Sequence, residues 1–283
     1  MKHFTETIDM GAGPRPLRVY LPDATERSYY RAKRPAVVIF PGGGYYFTYE
    51  GEAEPIALSF VAAGVCAFVL DYTTTGEGKT SHAFPYAQRE AFAAIRYVRE
   101  HAEEFGIDPQ NIASLGFSAG GHLCGCTGTL WNKPIMKDDL GSDPHASRPD
   151  KLILCYPVIR AKNPCHEGSF ECLLGKSYGE ITEEEFRQFS LQEQVDDETP
   201  PCYIWATAEE TCVPIQGALE FAHALADHKI HAEFHLYPHG DHGSCLGNHV
   251  TEARPFSDPM MASDWMTGAI RFLFDENLYE KLK

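Results

Sequence analysis

Hydrophobic positions fall into short apolar runs separated by longer segments of helical periodicity. Ala36-Val37-Val38-Ile39-Phe40 is apolar throughout and breaks into Pro41-Gly42-Gly43-Gly44. Such a run predicts a strand covered on both faces. Val65–Leu70, Ile112–Leu115, Lys151–Tyr156 and Cys202–Ala206 read the same way, Leu17–Leu21 is a short early strand, and Ala232–Tyr237 alternates. Between them, Pro55–Ala63 predicts a helix with Pro at its start and Gly64 after its end. Phe92, Ile95, Val98 and Ala102 share one helical face in Gln88–Phe105, which Gly106 closes. Ser118–Leu130, Ile215–His228 and Met261–Phe274 complete the predicted helices. Strand and helix alternate nearly from end to end, which predicts an α/β fold: a mostly parallel sheet with helices on both faces.

One stretch interrupts this rhythm. Residues 160–201 are polar and acidic, and Thr182-Glu183-Glu184-Glu185 reads as a helix start. The segment is either a solvated surface connection or a lid over a site at the strand ends, since long connections are often functional.

The length, 283 residues, allows one large domain or two small ones; one is the simpler reading. The chain is 43% hydrophobic and 23% charged, which excludes disorder as its main state. Forty acidic against 24 basic side chains give a net charge of −16. That balance argues against nucleic acid or an anionic membrane surface as partner. No apolar run reaches the roughly 18 residues of a membrane helix, and the first twenty residues carry no apolar secretory core. A cytoplasmic location follows as the expectation. The nine cysteines are odd in number and several lie in apolar runs, which suits buried thiols better than a disulfide framework.

Gly116-Phe117-Ser118-Ala119-Gly120 matches G-x-S-x-G between a predicted strand and a predicted helix. A sharp strand-to-helix turn needs small residues around its serine, and this one lifts the Ser118 hydroxyl above the sheet edge. A glycine-rich turn with an incidental serine is the plainer alternative. Gly42-Gly43-Gly44 follows an earlier buried strand, where exposed backbone N–H groups can approach a ligand oxygen. Together the two motifs point to a nucleophile and an oxyanion hole, with Ala119 supplying one N–H and Gly43 and Gly44 the others.

Pro41-Gly42-Gly43-Gly44-Tyr45-Tyr46, Gly116-Phe117-Ser118-Ala119-Gly120-Gly121-His122-Leu123, Val213-Pro214 and Gly240-Asp241-His242-Gly243 occur in that order. Tyr49-Glu50-Gly51-Glu52 with Pro55-Ile56-Ala57, Asp71-Tyr72 and Ile107-Asp108-Pro109 accompany them. In these features the chain resembles the α/β-hydrolase superfamily, and within it the carbohydrate-esterase-like, acetylxylan-esterase-related branch. The resemblance covers roughly Leu17 to Phe274. It implies an α/β-hydrolase fold and the chain order serine, acid, histidine. The family's histidine position falls on His242, with His239 as its rival. Its acid position, an aspartate in D-x-x-V-P, falls on Glu210; this is a departure, and Glu209 is the neighbouring candidate. A zinc site of His239, His242, Cys245 and His249 is the competing chemistry, but the loop lacks the ligand spacing of common zinc motifs.

Cys124-Gly125-Cys126 reads as small residues packing against the sheet rather than a redox pair. Tyr45, Tyr46, Phe47 and Tyr49 are either core or the aromatic walls of a substrate site. The leading expectation is a serine esterase for short acyl esters, acetyl groups on xylo- or other oligosaccharides above all, with Ser118, His242 and Glu210 as triad and no cofactor. An amidase, formamidase or small peptidase on the same scaffold is the alternative, and a hydrolase-like binding protein the third. The expected partner is a small ester substrate, compatible with a homo-oligomer.

Overall fold

The computed structural model describes residues 1–23, 33–76, 80–248, 250–251 and 261–275. Its strands are β1 (Lys2–Asp9), β2 (Pro14–Leu21), β3 (Arg34–Phe40), β4 (Cys66–Leu70), β5 (Ile107–Phe117), β6 (Lys151–Cys155), β7 (Cys202–Thr207) and β8 (Ala232–Tyr237). They form one sheet in the order β1-β2-β4-β3-β5-β6-β7-β8. β1 and β2 pair antiparallel, as do β2 and β4, and every other neighbour is parallel. With its helices on both faces, this is the α/β-hydrolase fold.

Alternation along the buried strands divides the core in two. Ala36, Val38 and Phe40 of β3 face one layer, and Val37 and Ile39 the other. The first layer holds α2 (Tyr86–Glu100), α4 (Ser118–Thr129) and α8 (Gln216–Asp227), through residues such as Phe92, Ile95, Leu123, Phe221 and Leu225. The second holds α1 (Glu54–Ala62) and α9 (Trp265–Phe274), through Ile56, Phe60, Trp265 and Phe272. Buried Lys151 joins sheet to helix: its Nζ donates to the carbonyls of Phe272 (3.1 Å) and Leu273 (2.8 Å) at the end of α9. There it meets the negative end of the helix dipole.

Chain progression reverses between β3 and β5. β3 leads to β4 on one side, whereas β5 lies on the other. Loops leaving these two carboxyl ends diverge and leave a crevice, the usual ligand position in open α/β sheets. The Gly42-Gly43-Gly44 loop and Ser118 leave from those two ends.

Several boundaries differ from the sequence reading. β1 is an additional strand: it is an edge, mostly solvent-facing, and lacks the apolar run that marks the others. The helix expected over 88–105 is broken at His101 into α2 and α3 (Ala102–Phe105), although its apolar face stays buried. β5 is longer than 112–115 and carries a register shift against β3. The expected last helix begins as a 3-10 turn, Met261–Asp264.

The 160–201 stretch is not a plain solvated connection. It contains α6 (Glu167–Leu174) and α7 (Glu183–Phe189); α5 (Pro134–Lys137) is a short turn before it. Thr182 and Glu185 cap α7 reciprocally. Phe170, Leu173, Phe189 and Leu191 are buried in the first core layer. All nine cysteines are thiols outside any disulfide, six of them buried, including Cys124 and Cys126 inside α4. No helix among the described residues is long and apolar enough to cross a membrane.

Candidate active site

Ser118 is the first residue of α4 and has φ of +53°. A non-glycine residue is strained there, and the strain persists because the surrounding packing holds it. Neighbouring glycines make that packing possible. A Cβ on Gly120 would lie 2.1 Å from the Phe40 carbonyl oxygen, so the helix start can press against the end of β3 only if this residue is glycine. Ser118 is 7% exposed, its opening directed into the crevice.

Ser118 Oγ lies 2.9 Å from Nε2 of His242, and Nδ1 of His242 lies 2.6 Å from Oε2 of Glu210. A carboxylate only accepts, so Nδ1 carries the proton and Nε2 is left to accept from the serine hydroxyl. Glu210 sits on the turn after β7, where its other oxygen accepts from the amides of Cys212 (2.7 Å) and Val213 (3.1 Å). Burial pushes the Glu210 carboxyl up, but the bond and charge of His242 and these two amides outweigh it and hold it below the ordinary value. The rival candidates pair with each other instead. His239 Nδ1 lies 2.9 Å from Glu209 Oε1, both exposed. His249 lies outside the described residues, and among those described no three His, Cys, Asp or Glu side chains cluster as metal ligands.

The glycine loop turns sharply beside Ser118. Gly43 has φ of +125°, and a Cβ there would lie 2.2 Å from the Phe47 carbonyl oxygen. Gly43 and Gly44 line the crevice. Ala119 is buried at the start of α4, where backbone N–H groups have no partner within the helix. Tyr72, two residues after β4, donates from its hydroxyl to the Pro41 carbonyl (2.6 Å) and braces the loop. The aromatic cluster divides. Tyr45 is fully buried and points away, its hydroxyl 2.9 Å from Nδ1 of His122. Tyr46, Phe47 and Tyr49 are 55%, 50% and 40% exposed and line the crevice.

Three site residues carried no role in the sequence reading. Glu52 is buried beneath the glycine loop: Oε2 accepts from Gly42 N (2.6 Å) and Oε1 from the Tyr156 hydroxyl (2.6 Å). Tyr156 follows β6 and packs edge-on against His242, ring centroids 5.1 Å apart. His166 precedes α6, bonds Ser169 Oγ through Nδ1 (2.8 Å) and lines the crevice. Burial and the nearby His242 hold His166 below the ordinary imidazole value. The Tyr49-Glu50-Gly51-Glu52 motif was the one available signal for Glu52; nothing local marks Tyr156 or His166. The crevice has a volume of about 380 Å³, within the range of small-molecule sites. A serine, a base and an oriented carboxylate, beside a loop rich in backbone N–H groups, can carry out acyl transfer.

Known proteins share this arrangement's setting. The BD-FAE family model matches residues 17–225. Endo-1,4-beta-xylanase B of Butyrivibrio fibrisolvens is 37% identical over 222 residues, 76% of this chain and 33% of that protein. An acetylxylan esterase of Xylanibacter ruminicola is 30% identical over 218 residues, 75% of this chain and 41% of that protein. The chain thus spans well under half the length of either relative. Among solved structures, an acetyl ester-xyloside bifunctional hydrolase from Caldicellulosiruptor lactoaceticus superposes with a TM-score of 0.77 at 32% identity, covering 95% of this chain and 89% of that one.

Proposed function

The chain belongs to the BD-FAE family and has the α/β-hydrolase fold, and from that premise we propose that it is a serine esterase for short-chain acyl esters, foremost acetyl esters of xylo- or other oligosaccharides. The observation that carries the reading is the hydrogen-bonded series from Ser118 through His242 to Glu210, opening onto the glycine loop. Ser118 Oγ attacks the acyl carbonyl carbon and its proton passes to Nε2 of His242. Glu210 holds the Nδ1 proton and stabilises the imidazolium that forms. Backbone N–H groups of Gly43, Gly44 and Ala119 receive the oxyanion, each donor lowering the barrier by about 3–4 kcal/mol. The tetrahedral species expels the alcohol, which takes the proton from His242. Water, activated by His242, then attacks the acyl group and frees both acid and Ser118.

Substrate class rests on three supports. The relatives and the solved neighbour are named for xylan, acetyl esters and xylosides. The crevice is small, which suits a short acyl group. Tyr46, Phe47 and Tyr49 present exposed rings at its mouth, surfaces on which a sugar face can stack. We read residues 1–283 as one domain in which the 160–201 segment caps the site; His166, Gly168 and Cys172 contribute to the crevice wall.

The test is acetate release from acetylated xylo-oligosaccharides, with an aryl acetate and an aryl octanoate in parallel, for the native chain and Ser118→Ala. Acetate release that disappears in the variant, with acetyl preferred over octanoyl, supports the reading. Aryl ester turnover without sugar deacetylation overturns the oligosaccharide assignment. Turnover that survives Ser118→Ala overturns the mechanism.

A further inference from the structure

The site contains a second buried acidic side chain. Glu52 is 2% exposed and lies where the glycine loop, the serine turn and the histidine loop meet. Glu52 and Ser118 both border Gly42: a Cβ placed there would lie 2.8 Å from Glu52 Oε2 and 3.0 Å from the Ser118 Cβ. The donors around it define its charge. Gly42 N can only donate, and it donates to Oε2. The Tyr156 hydroxyl accepts from Cys245 N at 3.1 Å, so its own proton points to Oε1. Both oxygens of Glu52 accept, an arrangement that favours the carboxylate over the carboxylic acid.

These bonds connect two parts of the site that are remote in sequence. Gly42 opens the glycine loop, and Cys245 lies three residues after His242. Glu52 and Tyr156 join them in the series Gly42 N–H to Glu52, Tyr156 O–H to Glu52, and Cys245 N–H to Tyr156. The Tyr156 ring also packs against the His242 imidazole. We propose that Glu52 and Tyr156 are a positioning pair that holds the oxyanion loop and the His242 loop in register, and that the Glu52 carboxylate supplies a second negative charge which stabilises the imidazolium of His242 during acyl transfer.

The proposal rests on the serine-esterase reading above and assigns Glu52 a role distinct from that of Glu210, which orients the imidazole directly. Burial pushes the Glu52 carboxyl up and outweighs the bonds from Tyr156 and Gly42 and the charge on His242, so the carboxyl stands above its ordinary value. Other groups also face His242. Glu210 and Ser118 bond it, Asp241 precedes it, Tyr156 packs on it, His166 approaches from the cap segment, and Cys212 shares the crevice wall. The Glu209–His239 ion pair lies on the exposed side of the same two loops. Glu210 and Asp241 are acidic too, so the contribution of Glu52 has to be read as a displacement of the pH profile while those groups stay in place.

The experiment is kcat and KM for an aryl acetate from about pH 4 to about pH 9, with circular dichroism to establish folding. It compares the native chain with Glu52→Gln, Glu52→Asp, Tyr156→Phe and Ser118→Ala. Glu52→Gln keeps the volume and removes the charge; the acid limb of kcat/KM moves roughly one unit lower, and kcat falls about 10- to 100-fold. Glu52→Asp keeps the charge and loses reach, so its limb stays in place while kcat falls. Tyr156→Phe lowers kcat about tenfold with KM unchanged. An unmoved limb in folded Glu52→Gln overturns the charge role, because a loss of packing alone lowers kcat without displacing the limb. If Glu52→Gln does not fold, native kcat in both Glu52→Asp and Tyr156→Phe overturns the positioning role. Turnover that survives Ser118→Ala fails the serine-esterase reading itself, whereas an unmoved limb with Ser118-dependent turnover fails only the inference about Glu52.

Discussion

Glu210 reaches His242 with Oε2 at 2.6 Å from Nδ1, and in doing so leaves Glu209 to pair with His239 at 2.9 Å. Adjacent glutamates on one turn thus engage different histidines of the loop opposite. Under the proposed mechanism only the Glu210 pair is coupled to Ser118. Glu210→Gln is expected to lower kcat by about three to four orders of magnitude, as loss of the carboxylate does in a serine triad. Glu209→Gln and His239→Ala, both at exposed positions, are expected to stay within about twofold of the native kcat. A steady-state comparison of the three on an aryl acetate decides the assignment; equal losses from Glu209→Gln would reverse it.

Gly43 tests the proposed oxyanion role of the glycine loop. Its φ of +125° and the 2.2 Å approach of the Phe47 carbonyl leave no space for a methyl group. Gly43→Ala is expected to lower kcat by about 100-fold or more, since one misplaced donor has that cost. The loop lies at the surface of the crevice, so the thermal midpoint is expected to fall by only a few degrees. Parallel kinetics and melting separate the two effects.

His122 predicts a pH dependence of stability. It is fully buried in α4, with Nε2 donating to the Phe189 carbonyl (2.9 Å) and Nδ1 accepting from the Tyr45 hydroxyl. Burial holds it down at about 4, against an ordinary value of 6.5, although the Phe189 bond opposes the shift. Between those values the unfolded chain binds a proton that the native chain refuses. Its contribution is therefore complete above about pH 6.5 and is lost progressively as pH falls toward about 4, reaching roughly 3 kcal/mol. Urea unfolding across that window is expected to be flatter for His122→Gln than for the native chain. Identical slopes would show that His122 does not titrate as its burial requires.

Lys151 predicts a stability effect remote from the site. Removing its ammonium group leaves the Phe272 and Leu273 carbonyls without this donor. Lys151→Met keeps the stem and is expected to cost about 1.5–3 kcal/mol, the range for hydrogen bonds to a charged group. Thermal denaturation measures it, with kcat expected to remain native because Lys151 begins β6, at the opposite end of the strands from the carboxyl ends that carry the site.

The aromatic mouth predicts a split in specificity. Tyr46→Ala, at a 55% exposed side chain, is expected to raise KM for an acetylated oligosaccharide about tenfold while leaving an aryl acetate near native. Equal effects on both substrates would assign Tyr46 to the acyl side of the crevice instead.

Much of the fold was legible because its strands are buried on both faces. A strand such as Ala36–Phe40 must be apolar at every position, and that leaves an unmistakable run. β1 was not legible for the opposite reason: Lys2–Asp9 is an exposed edge, and its polar alternation resembles a loop. The break at His101 was hidden because both halves of the helix keep one continuous buried face. Ser118 and the glycine loop were legible because strained turns and close backbone approach admit few residue types. Glu52, Tyr156 and His166 were not, since a buried carboxyl, a buried phenol and a half-buried imidazole look like any other Glu, Tyr or His until their partners are known.

Local constraints of this kind act over a few residues. Periodicity, glycine at crowded turns and serine at the head of α4 each reflect the chain's own backbone, and they were sufficient for the fold class, the order of elements and the position of Ser118. Choosing among thirteen histidines, or between Glu209 and Glu210, needs distances between residues separated by 30 to 124 positions in the chain. Folding closes those loops at once: the reversal between β3 and β5 opens the crevice, and the turns after β7 and β8 bring Glu210 and His242 to it. The charge beside His242 and the bond series through Tyr156 exist only in that assembled state, because hydrogen-bond partners are set by three-dimensional proximity and not by spacing along the chain.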